Sequence, residues 1–216
     1  MYRPEIVEIA EKFVCEVNSF ESNVDEPKTL NVIVGEDNYF DPIQEVDETV
    51  QNRIPIYGAF KSIAFFLDNR ADFIGSDTKV WNILLGFTSR ETKIFMRRIK
   101  GVPPYNDCER VNAKKIPSYL YYKYGLVMIN RAGKHDKFSI FSKYSVSNVL
   151  FVGKSPYKRL TKYFPNAKIG LLPHPSNKCH SPKQKVYESL DSSLVDPVSY
   201  YSKKFERPLL ESFKIL

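Results

Sequence analysis

Four short, largely apolar runs divide the chain, at residues 30–34, 126–129, 149–152 and 169–172, and each stops against polar residues. Runs of four or five residues without polar alternation suit strands covered on both faces, the environment of a parallel sheet between helices. The first run stops at Gly35-Glu36-Asp37-Asn38-Tyr39-Phe40-Asp41-Pro42 and the second at Asn130; the third stops at Gly153-Lys154-Ser155 and the fourth at Pro173-His174-Pro175-Ser176. The pattern predicts an α/β chain, a three-layer α/β/α arrangement with a central, mainly parallel four-stranded sheet. Ligands of such sheets bind beyond the carboxyl ends of the strands, so chemistry is expected in the residues that follow the runs.

The segments between the runs supply helices. After Pro4, residues Ile6, Ile9, Ala10, Phe13, Val14 and Val17 recur at helical spacing, with Glu5, Glu8, Glu11 and Lys12 on the other side, which predicts an amphipathic helix. Residues 44–51 are acidic and read as a solvated loop, residues 58–67 follow a helix-like pattern, and residues 81–98 read as another helical region. Gly101-Val102-Pro103-Pro104-Tyr105 interrupts any regular element, because neither proline offers a backbone donor. After Pro182, the apolar residues Val186, Leu190 and Leu194 predict a terminal helix that runs into an irregular end near Pro197 and Pro208.

No internal repeat or long linker is present, and 216 residues suit a single domain over 1–216 at about 100–200 residues per domain. Hydrophobic residues at 43% and aromatics at 14% can bury a core and exclude the low-complexity disordered class. Thirty-two Lys and Arg against 25 Asp and Glu leave a net charge of +7, with an isoelectric point near 9.1, a balance that favours polyanionic partners. Cys15, Cys108 and Cys179 are odd in number and widely spaced, and no apolar N-terminal signal precedes them. An intracellular, reduced protein is expected.

A four-thiolate zinc or iron–sulfur site needs one more cysteine, and Cys179-His180 lacks spaced partners, so no metal and no cofactor are expected. No apolar run approaches the roughly 20 residues that cross a bilayer; no membrane contact is expected, and nothing demands more than a monomer. Gly153-Lys154-Ser155 after a strand imitates a phosphate-binding loop, but the glycine required five residues earlier is Asn148. No Gly-x-Gly occurs, which argues against a dinucleotide site.

Each strand end delivers a useful group: Asp37 with Tyr39, Asn130, Ser155, and His174 with Ser176. In this order the motifs resemble the uracil-DNA glycosylase superfamily, nearest to its family-1 members, across roughly residues 30–176. Gly35-Glu36-Asp37-Asn38-Tyr39 is similar to that family's water-activating loop, and residues 126–130 to the strand that ends in its base-reading asparagine. Residues 149–155 resemble the strand and glycine-serine loop that touches the DNA backbone, and His174-Pro175-Ser176 matches the histidine-containing loop.

The resemblance implies a DNA glycosylase that cleaves the N-glycosidic bond of uracil, or of a related pyrimidine, in a flipped-out nucleotide. Asp37 would orient the attacking water and stabilise the sugar cation, and His174 would donate to the base oxygen as its charge grows. Asn130 would read the base edge, Tyr39 would crowd the 5-position and exclude thymine, and Tyr57 or its rival Phe60 would stack on the base. Ser155 and Ser176 would contact phosphates, with Lys154, Lys158, Lys178 and Lys183 supplying charge. The partner implied is DNA containing uracil or a modified base.

The chain departs from the family-1 pattern in three ways. Glu36, Asn38 and Phe40 stand where those enzymes have Gln, Pro and His. Asn177-Lys178-Cys179-His180 replaces the leucine wedge that fills the gap left by the flipped base. The spacing from Asp37 to Asn130 is long, implying an insertion around 70–120 that holds Trp81 and Pro103-Pro104 and is a candidate DNA or protein contact. These departures define the alternative expectation, a catalytically weak or inactive glycosylase-fold protein that binds nucleic acid or a protein partner.

Overall fold

The computed structural model describes residues 4–21, 25–35, 76–130, 138, 141–172 and 207–216. Helix α1, Pro4–Ser19, opens on a proline, which is tolerated in the first turn because its missing N–H has no helical partner there. It buries Ile6, Ala10, Phe13, Val14 and Val17, the stripe its spacing predicts.

All four apolar runs form strands. They are β1 (Thr29–Gly35), β2 (Leu126–Asn130), β3 (Ser145–Val152) and β4 (Lys168–Leu172). They pair in the order β2-β1-β3-β4, with every pairing parallel. Strand β3 begins four residues before its apolar run: Ser145 and Ser147 are exposed and Val146 and Asn148 half-buried, whereas the last four residues are buried. The apolar run therefore marks only the half of the strand that helices cover. Between Leu30 and Asn31 the register with β3 shifts, and the Asn148 amide donates to Asn31 Oδ1 at 2.7 Å just beyond the irregularity. Asn148 is thus a mid-strand residue, far from the loop position a phosphate-binding fingerprint needs.

The connection from β1 to β2 moves one way along the sheet and that from β3 to β4 moves the other. Right-handed crossovers then lie on opposite faces, giving three α/β/α layers. One outer layer holds α1 with α2 (Ser76–Leu85), α3 (Ser89–Lys100) and α4 (Ile116–Tyr124). Its core is aromatic: Phe13 meets Trp81, Phe95 and Tyr119 edge-on, at centroid distances of 6.1, 5.4 and 5.6 Å. The other layer holds α5 (Lys154–Leu160) and the 3-10 turn Thr161–Tyr163. Phe141 and Phe151 pack there on Phe164, at 5.0 and 6.1 Å.

Residues 81–98 are helical, divided between α2 and α3. The chain turns at Gly86 and Phe87, and Thr88 starts α3 with a capping box, its hydroxyl accepting from the Glu91 N–H while the Glu91 carboxylate accepts from the Thr88 N–H. Two orphan donors of the new helix are satisfied in this way. Trp81 is 0% exposed, so this side chain is core and not a surface contact. Pro208 is not in an irregular end but in the first turn of α6 (Arg207–Glu211), where proline is tolerated. The chain then returns to α2, with the Ile215 N–H donating to Leu84 O at 2.8 Å. The predicted loop at 44–51 and the helices at 58–67 and after Pro182 lie outside the described residues.

The excursion after α3 is tied to the end of α1. Asn18 donates to Glu109 and to Arg110 O and accepts from the Asn112 N–H, and Lys115 donates to the carbonyls of Asn18 and Phe20. Arg98, nearly buried, pairs with Glu11 at 3.2 Å and donates to Glu109 O. Gly125 joins α4 to β2 at φ +58. Its N–H donates to Tyr121 O and its carbonyl accepts from the Asn31 N–H, both at 2.8 Å. A Cβ here would lie 2.3 Å from Thr29 O, so glycine alone allows this approach of the two strands' starts. Among the described residues no helix is long and apolar enough to cross a membrane.

Candidate functional site

The strand ends that carry the candidate residues are level. Gly35 pairs with Asn130, Val34 with Phe151 and Val152 with Leu172, so all four strands finish within about one residue of each other along one edge. The winding of the sheet reverses between β1 and β3. In open α/β sheets, connections that leave in opposite directions open a crevice at that point. By that rule the crevice is expected at the switch point between the ends of β1 and β3, at Gly35 and Gly153.

Asn130 is the last residue of β2, beside β1. Gly153 follows β3 at φ 117 and leads directly into α5. Its N–H donates to Leu172 O at 2.9 Å, which joins the end of β3 to the end of β4 and holds Lys154 and Ser155 at the edge. Lys154 is exposed and Ser155 half-buried, while Pro156 and Leu160 of the same short helix are buried. One cation and one hydroxyl are therefore presented at the crevice by a helix anchored through its apolar side. Lys158, one turn on, is exposed as well.

Asp37 follows Gly35 by two residues, and His174 follows Leu172 by two. Asp37, Tyr39, Tyr57, Phe60, His174, Ser176, Lys178 and Lys183 lie outside the described residues, as do Glu36, Asn38 and Phe40. The structure brings together the strand ends that bear Asp37, Asn130, Ser155 and His174. Strands β1 and β4 are separated by β3 alone, two strand spacings or about 10 Å.

The strongest electrostatic perturbation among the described residues lies elsewhere, at Tyr119 between α1 and α4. The Glu16 carboxylate accepts from Tyr119 Oη at 2.5 Å and from the Lys123 ammonium, and Lys123 also donates to Tyr119 Oη at 3.0 Å. The hydrogen bond from Lys123, followed by that from Tyr119, holds the Glu16 carboxyl below its usual range. Burial, reinforced by Glu16, pushes the Tyr119 hydroxyl well up. This cluster sits where α1 and α4 run into the amino ends of β1 and β2, away from the crevice, and it ties one helix to the other. Perturbed groups mark functional sites only as a tendency, since structural ion pairs perturb them too.

Two features of the other helical layer have no counterpart in the motif reading. Exposed cations continue past Lys154 and Lys158 to Arg159, Lys162 and Lys168. An open groove of about 1020 Å³ lies at the amino ends of β3 and β4, lined in part by Ser145, Ser147, Asn148, Lys162 and Lys168. The signal for the cations is in the sequence: residues 137–187 contain ten Lys and Arg and no Asp or Glu. No protein-family model, curated protein or solved structure matches the chain.

Proposed function

We propose that the chain is a DNA glycosylase that hydrolyses the N-glycosidic bond of uracil, or of a related pyrimidine, and leaves an abasic site. The observation that carries this reading is the level carboxyl edge of the parallel sheet, where the four motif-bearing segments emerge around one crevice. Asp37 and His174 leave strands about 10 Å apart, a separation that accommodates a nucleoside between a carboxylate and a hydrogen-bond donor.

In the reaction the bond between the sugar C1′ and the base nitrogen breaks, and its electron pair leaves with the base. Water adds its oxygen to C1′, and its proton completes the balance on the released base. Asp37 orients that water and stabilises the positive charge on the sugar. His174 donates to the base oxygen, which gains negative charge as the bond opens. Asn130 reads the base edge with one donor and one acceptor, and Tyr39 excludes a 5-methyl group. The base must leave the stack to reach these groups, and Lys154 and Ser155 at the start of α5 hold the flanking phosphate backbone.

The test is alkaline strand cleavage of labelled single- and double-stranded oligonucleotides that contain one uracil. Asp37→Asn and His174→Ala should each reduce base release at least about tenfold, with thermal unfolding of both variants followed in parallel. Equal release by folded wild-type and variant proteins would remove these roles. A second reading is motivated by Glu36, Asn38 and Phe40 around Asp37 and by the missing leucine wedge: a glycosylase-fold protein that binds nucleic acid without cleaving it. Salt-dependent DNA binding with no base release would establish that alternative.

A further inference from the structure

The cations of the α5 layer form a track. Lys154 and Lys158 are one turn apart on α5, about 6 Å of rise, and Lys162 follows four residues later in the 3-10 turn. Lys168, at the start of β4 and level with Asn148, continues the cations to the opposite edge of the sheet, and Lys143 lies just before β3, between the groove-lining residues Ser142 and Tyr144. All five are exposed. No Asp or Glu occurs between Asp136 and Glu188, so the segment that builds this layer offers them no carboxylate. The first helix of the other outer layer is acidic by contrast, with Glu5, Glu8, Glu11 and Glu16 against Lys12 alone. Among the described residues the α5 layer is therefore cationic with no acidic residue, whereas the other layer mixes both signs, with Arg90, Lys93, Arg97, Arg98 and Lys100 on α3 beside the acidic α1.

The track ends in the open groove at the amino ends of β3 and β4. Lys162 and Lys168 line it, together with the hydroxyls of Ser145 and Ser147 and the amide of Asn148. The Lys162 ammonium lies 5.2 Å from the centre of the Tyr163 ring, a contact that directs the cation along the groove wall. At about 1020 Å³ the groove is at the upper limit of small-molecule sites, and its two cations, Lys162 and Lys168, continue a series of exposed cations that starts at the other edge of the sheet with Lys154. That arrangement suits a polymer of evenly spaced negative charges. Polar side chains in the groove match sugars and base edges, and the only large hydrophobic side chain exposed among the described residues is Leu216, in another segment. An apolar residue for insertion into a lipid surface is thus missing from the track.

We propose that this layer binds single-stranded nucleic acid, whose backbone follows the cations from the carboxyl edge and enters the groove at the amino edge. The groove admits a few nucleotides of one strand and not a duplex. The inference goes beyond base release and does not depend on it.

The test is fluorescence anisotropy with labelled dT20 and dT5 across a salt series. The wild-type protein should bind dT20 more tightly than dT5. Replacing Lys143, Lys162 and Lys168 together by Gln should weaken dT20 binding at low salt about tenfold or more. It should also reduce the slope of log affinity against log salt by about 2, at roughly 0.7 for each phosphate no longer neutralised. A control with Lys12, Lys93 and Arg97 changed to Gln carries the same change in net charge on the other layer and should leave the slope nearly unchanged. Equal losses in both triple variants would overturn the proposal, as would dT20 affinity unaffected by the track variant. Binding to phosphatidylserine vesicles without binding to dT20 would overturn it as well. Should the track variant lose its thermal transition, Lys162→Gln alone is read in its place, with a slope change of about 0.7. Uracil release is measured on the same samples, so that a protein without glycosylase activity can still pass or fail this test.

Discussion

Replacing Gly125 by Ala should be among the most damaging single-methyl changes in the chain, and Gly101 provides its control. Both glycines end helices at nearly the same left-handed conformation, φ +58 and φ +60, so the conformational penalty for a Cβ, about 1–2 kcal/mol, is shared. They differ in what the new carbon meets. At Gly101 it comes within 2.6 Å of the Arg110 side chain, whose exposed aliphatic stem can swing aside. At Gly125 it comes within 2.3 Å of the Thr29 carbonyl oxygen, and backbone at the start of a central strand cannot move alone. Relief requires separating the α4–β2 junction from β1, which breaks the 2.8 Å bond from the Asn31 N–H to Gly125 O. A broken hydrogen bond costs about 0.5–1.5 kcal/mol, and overpacking against fixed neighbours about 1–3 kcal/mol. Gly101→Ala should therefore destabilise by about 1–2 kcal/mol and Gly125→Ala by about 3–5 kcal/mol. Urea unfolding at constant m-value reads the difference, and the thermal midpoints should differ by at least about 4 °C. If the two variants agreed to within about 0.5 kcal/mol, the close approach at Thr29 would not constrain the sheet and the argument would fail.

Two further predictions concern the helical layer that carries α1. Glu16 has a lowered folded-state pKa, chiefly through Lys123, so its contribution is present above the unfolded carboxylate value and disappears as pH falls through the folded one. Glu16→Gln should cost about 1 kcal/mol at pH 7, partly screened because the pair is half-exposed, and nothing near pH 2; the same loss at both pH values would refute the ionic account. Thr88→Ala removes the hydroxyl that accepts the Glu91 N–H and should cost about 1 kcal/mol, with Thr88→Ser restoring most of it; equal stability of the Ala and Ser variants in urea would show that the cap is idle.

The strands are legible in the sequence because each apolar run stops where helical cover stops. Leu172 and Val152 are buried and the polar residues begin immediately after, so the carboxyl edge can be located from the sequence alone. The exposed first half of β3 is not legible, since Ser145 and Ser147 face away from any cover. The break at Gly86 is hidden by Trp81, Leu84, Phe95 and Ile99, which keep a helical rhythm across it. The pair Thr88 and Glu91, three residues apart, is the signal that a new helix starts there. Trp81 reads as a surface contact only while its surroundings are unknown, whereas the edge-on packing of Phe13 encloses it. The acid-free run of cations at 137–187 is legible in the sequence, but which of them share a groove is not, because the crossover from β3 to β4 brings Lys162 and Lys168 to the wall that Ser145, Ser147 and Asn148 form.

The central position of β1 has a consequence for the order in which the molecule assembles. Its Asn31 is level with Leu126 in one neighbour and with Asn148 in the other, and every sheet contact it makes awaits chain synthesised long after it. At about 5–20 residues per second during translation, the roughly 95 residues between Asn31 and Leu126 correspond to about 5–20 s. The contacts of α1 with α3 become available first, once Lys100 has emerged. Parallel pairing over such separations is slow in its own right. The partners of a helical layer are thus present before those of the sheet, and the strand at the middle of the finished sheet is the one that waits longest for its neighbours to be synthesised.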